Sequence, residues 1–259
     1  MAKVFTTEIT SEHIPSDNPI HQRLLKPYVI VGDLVYGEVL EVGCGEGRGI
    51  DYMIKKANHY TAIDKITGVI ERLKEKYPTA TFFDDHIPPF KPFKDNSFDC
   101  VVSFQVIEHI RDDSFFLKEI FRVLKPGGTA WITTPNRLQS LSRNPWHERE
   151  YTAPELTHLA SRIFPDVTMM GIAGNETVME YHEQNRQSVK RLMRWDVLNL
   201  QYRLPASVLR VPYEIMNRLN RNKLHMQADG LAASIRESDY LLTEKAETAL
   251  DLFLVVRKK

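Results

Sequence analysis

Three alternating glycines, set between a strand-like run and a helix-like run, are the feature that most narrows what this chain can fold into. The stretch is Leu40-Glu41-Val42-Gly43-Cys44-Gly45-Glu46-Gly47. Glycine suits a place where the chain must turn tightly and let a ligand lie against bare backbone. In an open α/β sheet, ligands bind outside the carboxyl ends of the strands, at the point where strand order reverses. A glycine loop ending a strand therefore predicts both a sheet type and the edge of the sheet that carries a site.

The surrounding pattern agrees. Residues 38–42 read as a strand, 47–56 as a helix, 60–63 as a strand ending at Asp64, 68–76 as a helix stopped by Pro78, and 80–83 as a third strand. Residues 98–104 form an almost continuous apolar run, as a parallel strand buried on both faces requires. Phe116, Leu117, Ile120, Phe121 and Leu124 share one face of a predicted helix over 113–124. Lys125-Pro126-Gly127-Gly128 breaks it before a fifth strand at 129–133. A helix over 152–161 with Thr152 as N-cap, a sixth strand at 167–172 and a closing strand at 252–256 complete the alternation. The expected fold is α/β: a doubly wound, mostly parallel, seven-stranded sheet with a helical insertion before the last strand. The expected organisation is an N-terminal arm over 1–36 with a helix near His21–Tyr28, a core over 37–175 and 250–259, and a helical insertion or cap over 176–249 broken at Pro205 and Pro212.

Composition removes several classes. The formal net charge is zero, so the basic excess of a general nucleic-acid binder is missing. Hydrophobic residues make up 42% and charged residues 26%, as in an ordinary globular protein. Cys44 and Cys100 lie in apolar segments without a CxxC pair, which points to a reducing cytoplasm and away from disulfides. Residues 1–19 lack an apolar secretory core, and no apolar run nears the roughly 18 residues a membrane span needs. No metal site is expected, because the histidines lack paired spacing and Asp84-Asp85 alone offers too few ligands.

Two cofactor types compete for the glycine loop. A dinucleotide loop reads GxGxxG, but here the third position holds Arg48 and the glycines run GxGxG. That form resembles the first motif of the class I S-adenosylmethionine-dependent methyltransferases. Asp64 follows 17 residues after Gly47, where a carboxylate can accept both hydrogen bonds of a ribose diol. The resemblance continues through Asp95-Asn96-Ser97-Phe98-Asp99, Gln105-Val106-Ile107-Glu108-His109 and Leu124-Lys125-Pro126-Gly127-Gly128, and covers about residues 36 to 175 plus the last strand. It implies S-adenosyl-L-methionine as cofactor. Glu41, Gly43, Cys44, Gly45 and Gly47 would surround its methionine part, and Asp64 with Lys65 its ribose. Asp85 and Ile87 would meet its adenine, and Gln105 and Val106 would border the sulfonium. The loop from Asp84 to Phe93 is longer than the family's common form, so Asp84 competes with Asp85 for the adenine. His109 admits a catalytic reading, against which it falls in a stretch the family uses for packing and capping.

The acceptor has no motif of its own. The loop Asn144-Pro145-Trp146-His147-Glu148-Arg149-Glu150-Tyr151 resembles a subgroup of bacterial methyltransferases that includes enzymes acting on sugars and related polar metabolites. His147 is the candidate base and Tyr151 the candidate orienting hydroxyl; the competing reading has His147 capping the next helix. Tyr181, His182 and Glu183 form a second candidate cluster just after the sixth strand, which a surface helix explains equally well. Residues 190–224 carry eight cations, from Lys190 to Lys223, against Asp196 and Glu214, interleaved with Trp195, Leu198 and other apolar residues. That pattern fits a solvated helical cap or homodimer face, an anionic or lipid-linked acceptor, or peripheral membrane contact. The expected activity is O-methylation of a small polar metabolite or glycan-type acceptor. The alternatives are a non-catalytic scaffold on the same fold and a dinucleotide-dependent oxidoreductase.

Overall fold

The computed structural model describes residues 15–194, 196, 199–227 and 230–259; the first 14 residues of the expected arm, and Trp195 and Leu198 of the basic segment, lie outside them. The described chain opens with helix α1 (Asn18–Gly32), which includes the helix expected near His21–Tyr28. The parallel part of the sheet follows as β1 (Glu38–Val42), α2 (Ile50–Met53), β2 (His59–Asp64), α3 (Thr67–Lys76), β3 (Thr81–Asp84), β4 (Phe98–Phe104), α4 (Asp113–Val123) and β5 (Leu124–Pro135). Then come α5 (Ala153–Ser161), β6 (Asp166–Gly174), α6 (Glu176–Met193), α7 (Leu200–Arg203), α8 (Ala206–Gln227), α9 (Leu231–Ser234), β7 (Tyr240–Thr243) and β8 (Asp251–Arg257).

The strands form one sheet in the order β3-β2-β1-β4-β5-β8-β6-β7. The first five are parallel, and β8 runs antiparallel to both β5 and β6. Strand order reverses between β1 and β4, so their carboxyl ends flank the crevice where such sheets bind ligands. Successive side chains of a strand point to opposite faces, and the central strands feed two cores. Val39, Cys100, Val102, Trp131 and Phe253 face one core with Tyr28, Val31 and Ile50. Leu40, Val101, Ala130, Ile132 and Leu254 face the other with Phe116, Ile120 and Leu156. This two-sided burial is why these strands read as apolar runs and not as alternating ones.

Three elements differ from expectation. The predicted helix over 47–56 shrinks to α2, because Gly45 and Gly47 take φ of 48° and 78°, which a right-handed helix excludes. Pro212 does not break α8; it sits on the exposed face with Val208, whose carbonyl loses the helical partner that proline lacks. An eighth strand, β7, lies within the segment read as a helical insertion and pairs with β6 at the sheet edge. Its sequence, Tyr240-Leu241-Leu242-Thr243, shows no alternation, since an edge strand buries only Tyr240 while Leu241 and Leu242 stay exposed.

The far end of the chain also anchors α1. The Tyr240 hydroxyl donates to the Pro19 carbonyl at 2.7 Å, and the Asn18 side-chain amide donates to the carbonyls of Ala232 and Ile235, each at 2.8 Å. No described helix is long and apolar enough to cross a membrane.

Gly49 shows how tightly α1 meets the glycine loop. A Cβ there would lie 1.8 Å from the Tyr28 ring. Gly49→Ala should therefore lower unfolding stability by about 2 kcal/mol through overpacking. Gly68→Ala, in α3 with nothing within 4 Å of the added methyl, should leave it unchanged or raise it. Urea unfolding of the two variants checks the pair.

Candidate active site

The glycine loop is held from beneath and open above. Gly43 donates its N–H to the Ile63 carbonyl at 2.8 Å, and its φ of 80° belongs to the left-handed region. A Cβ on Gly43 would come within 2.4 Å of Val106 Cγ2, so Val106 packs directly on the bare backbone. A Cβ on Gly47 would meet Leu73 at 2.6 Å. Gly45 differs: nothing lies within 4 Å of where its Cβ would be. That side of the loop is open.

Asp64 ends β2 and clamps this loop. Its Oδ2 accepts the Gly45 N–H at 2.8 Å and its Oδ1 accepts the Ile66 N–H at 3.1 Å. A carboxylate has about four lone-pair sites, so each oxygen keeps one for a diol. The Asp85 N–H reaches the Asp64 carbonyl at 3.3 Å, which lays the 84–87 loop beside it. Asp84 pairs with Asp64 in the ladder and its side chain is exposed. Asp85 is half-buried, accepts the His86 N–H at 2.7 Å and lies 3.8 Å from Lys91. Ile87 is half-buried against the second core, Cys44 is buried in the first, and Lys65 is exposed. Gly43, Gly45, Gly47, Asp64, Asp85, Gln105 and Val106 thus gather along the carboxyl ends of β1 to β4.

Glu41 does something other than expected. It is 1% exposed, and its two oxygens accept the hydroxyls of Tyr28, at 2.7 Å, and Tyr60. It braces α1 and β2 on β1 and is enclosed, rather than presented to a cofactor. Burial pushes its carboxyl up to about 7, against the two tyrosine donors, and the Asp64 charge adds to the rise.

A cavity of about 260 Å³ adjoins this cleft, between the ends of β4 and β5 and the helices α1, α6 and α8. Gln105 connects the two spaces: it lines the cavity, while the next residue, Val106, covers Gly43. Its φ is 58°, held by its N–H on the Thr133 carbonyl at 2.9 Å and its side-chain amide on the Thr133 hydroxyl at 3.3 Å.

His147 lines the cavity and is fully oriented. Its Nδ1 lies 2.6 Å from Glu150 Oε1, and its Nε2 lies 2.7 Å from the Asn144 side-chain nitrogen. Asn144 Oδ1 accepts the Trp146 N–H at 3.0 Å, which assigns that nitrogen as a donor. The imidazole therefore carries its proton on Nδ1 and a lone pair on Nε2. Burial works against the Glu150 charge, but hydrogen bonds from His147 and Ser140 outweigh it and hold the carboxyl below its usual range. His109 also lines the cavity, edge-on to His147 with ring centroids 5.0 Å apart, and its Nδ1 meets the Trp146 carbonyl at 2.9 Å. It both holds the loop and faces the site.

Tyr151 is a correction. Its ring is fully buried in the second core, its hydroxyl donates to Asp113 at 2.8 Å, and it does not line the cavity. The isolated bridge between Asn136 and Tyr151 fixes the backbone so that the side chain points into the core. The second candidate cluster divides: Tyr181 and His182 line the cavity, while Glu183 stays exposed beside Arg186. Burial, with Arg23 and Arg186 nearby, pushes His182 down to about 4.

Of the cavity residues, Arg23, Asn217 and Asn220 were missed by sequence reasoning, and Tyr213 and Arg221 were seen only as part of the basic stretch. Arg23 comes from α1, and Tyr213, Asn217, Asn220 and Arg221 come from α8. Arg23 lies 3.2 Å from Asp251, which burial pushes up to about 6. Asp17, 0% exposed, sits between Arg218 at 2.9 Å and Arg221 at 3.1 Å, and Arg210 stacks over Trp146 at 4.1 Å. Three of the basic residues are thus structural cations. The donor atoms of Glu108, His109 and His147 lie within 4.8 Å of one another, a grouping that sequence spacing did not reveal.

Residues 40–132 match the family described as a methyltransferase domain. The stretch so matched is a methyltransferase domain, and the chain is similar to S-adenosylmethionine-dependent methyltransferases. A Mycolicibacterium smegmatis protein named a probable S-adenosylmethionine-dependent methyltransferase is 39% identical over 127 residues, covering 47% of this chain and 49% of that protein. A ubiquinone biosynthesis O-methyltransferase of Xanthomonas oryzae is 28% identical over 109 residues, covering 40% and 46%. The chain spans about half the length of these relatives. A solved Thermotoga maritima methyltransferase, described as a possible histamine N-methyltransferase, superposes with a TM-score of 0.56 at 14% identity, covering 93% and 92% of the two chains, and supports the fold alone. Within this methyltransferase domain the dinucleotide alternative falls away.

The Glu41 carboxyl gives a pH signature. Its folded value of about 7 lies above the usual unfolded value of about 4.3. The folded state therefore holds this proton more tightly, and stability falls as pH rises from about 4 to about 7 and levels above. Glu41→Gln should remove about 3 kcal/mol of that decline, read as a smaller difference between urea unfolding at pH 5 and at pH 8.

Proposed function

We propose that this chain methylates an oxygen of a small, hydroxyl-rich polar acceptor held in the cavity beside Gln105, with His147 as the general base. The observation that carries this reading is the His147–Glu150 pair lining a cavity that adjoins the glycine loop. The open side of Gly45 and the free lone pairs of Asp64 fit S-adenosylmethionine, which supplies an electrophilic methyl group on a sulfonium. The protein's part is then alignment and proton removal. His147 Nε2 takes the hydroxyl proton, exchanging its Asn144 partner for the acceptor. Glu150 stays ionised, keeps the imidazole proton on Nδ1 and stabilises the imidazolium as it forms. Gln139, Ser142, Asn185, Asn217 and Asn220 give the cavity neutral donors and acceptors suited to hydroxyl groups, and Tyr181 and Tyr213 give it aromatic faces. That lining favours a sugar-like or similar polyhydroxylated acceptor. The O-methyltransferase name of the Xanthomonas oryzae relative points the same way.

A second reading draws on the Glu108–His109–His147 grouping, which could place a divalent cation on the acceptor oxygen. Thr134, the Trp146 carbonyl and Glu150 hold the outer atoms of the three side chains. The Asn144 amide on His147 Nε2 would have to be displaced by the ion, and this favours the base reading.

Two measurements test the proposal. Calorimetric titration with S-adenosylhomocysteine should show binding, and Asp64→Ala should weaken it at least ~10-fold, about 1.4 kcal/mol. Release of S-adenosylhomocysteine from S-adenosylmethionine across a panel of sugars and sugar nucleotides should find a turned-over acceptor. His147→Asn should then cut that rate by about 10²–10⁴ with S-adenosylhomocysteine affinity intact. An unchanged rate in His147→Asn would remove the base, and loss of activity on chelation would replace it with the cation. Absence of product binding by folded protein would leave only a scaffold.

A further inference from the structure

Helix α8 has two unlike faces. Tyr213, Asn217, Asn220 and Arg221 turn inward and line the cavity. Val208, Val211, Pro212, Ile215, Met216 and Leu219 are exposed on the other side, with Val211 and Leu219 each 64% exposed. Their spacing of three and four places them on one stripe. A solvated surface helix carries polar residues on its outer face, and a contiguous exposed apolar patch marks a contact surface. The short α7, just before it, extends the stripe with exposed Leu200 and Tyr202.

Charge decides what meets this face. Lys190, Arg191 and Arg194 at the end of α6, and Arg203 of α7, are exposed, and none forms an ion pair among the described residues. Asn185 and Ser188 of α6 hydrogen-bond Asn220, so α6 lies alongside α8. The two acids of this stretch offer no neutralisation outward. Asp196 accepts the backbone N–H groups of Leu200 and Gln201, and Glu214 is half-buried. A twofold pairing would set this patch against itself and bring like cations together. An anionic bilayer supplies both halves of the match: apolar depth for the stripe and phosphate charge for its rim.

We propose that the outer face of α8, with α7 and the end of α6, docks flat on an anionic lipid membrane. The helix does not span; it lies in the interface. The inward face of the same helix is a wall of the cavity, so docking brings that cavity within about one helix diameter, roughly 10 Å, of the headgroups. This inference concerns the surface and stands apart from the acceptor's identity.

Co-sedimentation of the full chain with vesicles tests it, comparing phosphatidylcholine alone with phosphatidylcholine containing phosphatidylglycerol. Binding should require the anionic lipid and weaken as salt is raised. Val211→Ser with Leu219→Ser should reduce it at least ~10-fold while S-adenosylhomocysteine affinity and helix content stay unchanged. Arg191→Gln with Arg194→Gln, at fully surface positions, should weaken it several-fold and flatten the salt dependence. Failure of the native chain to sediment with anionic vesicles overturns the proposal. So does equal binding by both variants. A native dimer in solution that Val211→Ser with Leu219→Ser converts to monomer assigns the face to a second copy and also overturns it.

Discussion

Two tyrosine hydroxyls close on one buried carboxylate, and much of the molecule is arranged around that contact. Tyr28 of α1 and Tyr60 of β2 both donate to Glu41 of β1. A lone buried carboxylate would be costly to ionise, and two donors offset part of that cost. The contact sets α1 against the sheet one residue pair before the glycine loop begins. Since α1 also carries Arg23 and Pro19 into the cavity wall, the cofactor loop and the cavity share a single brace.

The parts of the site that are local in sequence were legible, and the parts that are not were illegible for a physical reason. The glycine spacing, the strand before it and Asp64 form a unit in which each residue is chosen by backbone geometry or by a fixed hydrogen-bond demand, so residue type reports role. Two-sided burial likewise writes β4 as an apolar run. The cavity is different. Its walls come from α1, the loop after β5, α6 and α8, and nothing in the pattern of α8 marks Asn217 and Asn220 as inward-facing except the apolar stripe opposite them. His147 was visible as a candidate. Glu150 stood beside it among several charged residues, and only the fold pairs them. Tyr151 looked equally suitable, but a backbone bridge turned its ring into the core.

The family match falls on one side of this division. The family match ends at residue 132, and His147, Glu150 and the α8 wall lie beyond it. The shared portion holds the groups suited to a cofactor. Beyond it lie the His147–Glu150 pair and the α8 residues on which the acceptor proposal rests. Gln105, Glu108 and His109 cross this division, because they lie inside the matched stretch and line the cavity.

The buried Asp17 between Arg218 and Arg221 joins residues about 200 positions apart. Closing so long a loop costs more entropy than closing the short βα units of the glycine-loop half. The glycine-loop half can thus form from contacts close in sequence, while the α8 wall of the cavity waits for contacts made across about 200 positions. The loop suited to a methyl donor is therefore a local structure, and the cavity beside it a global one.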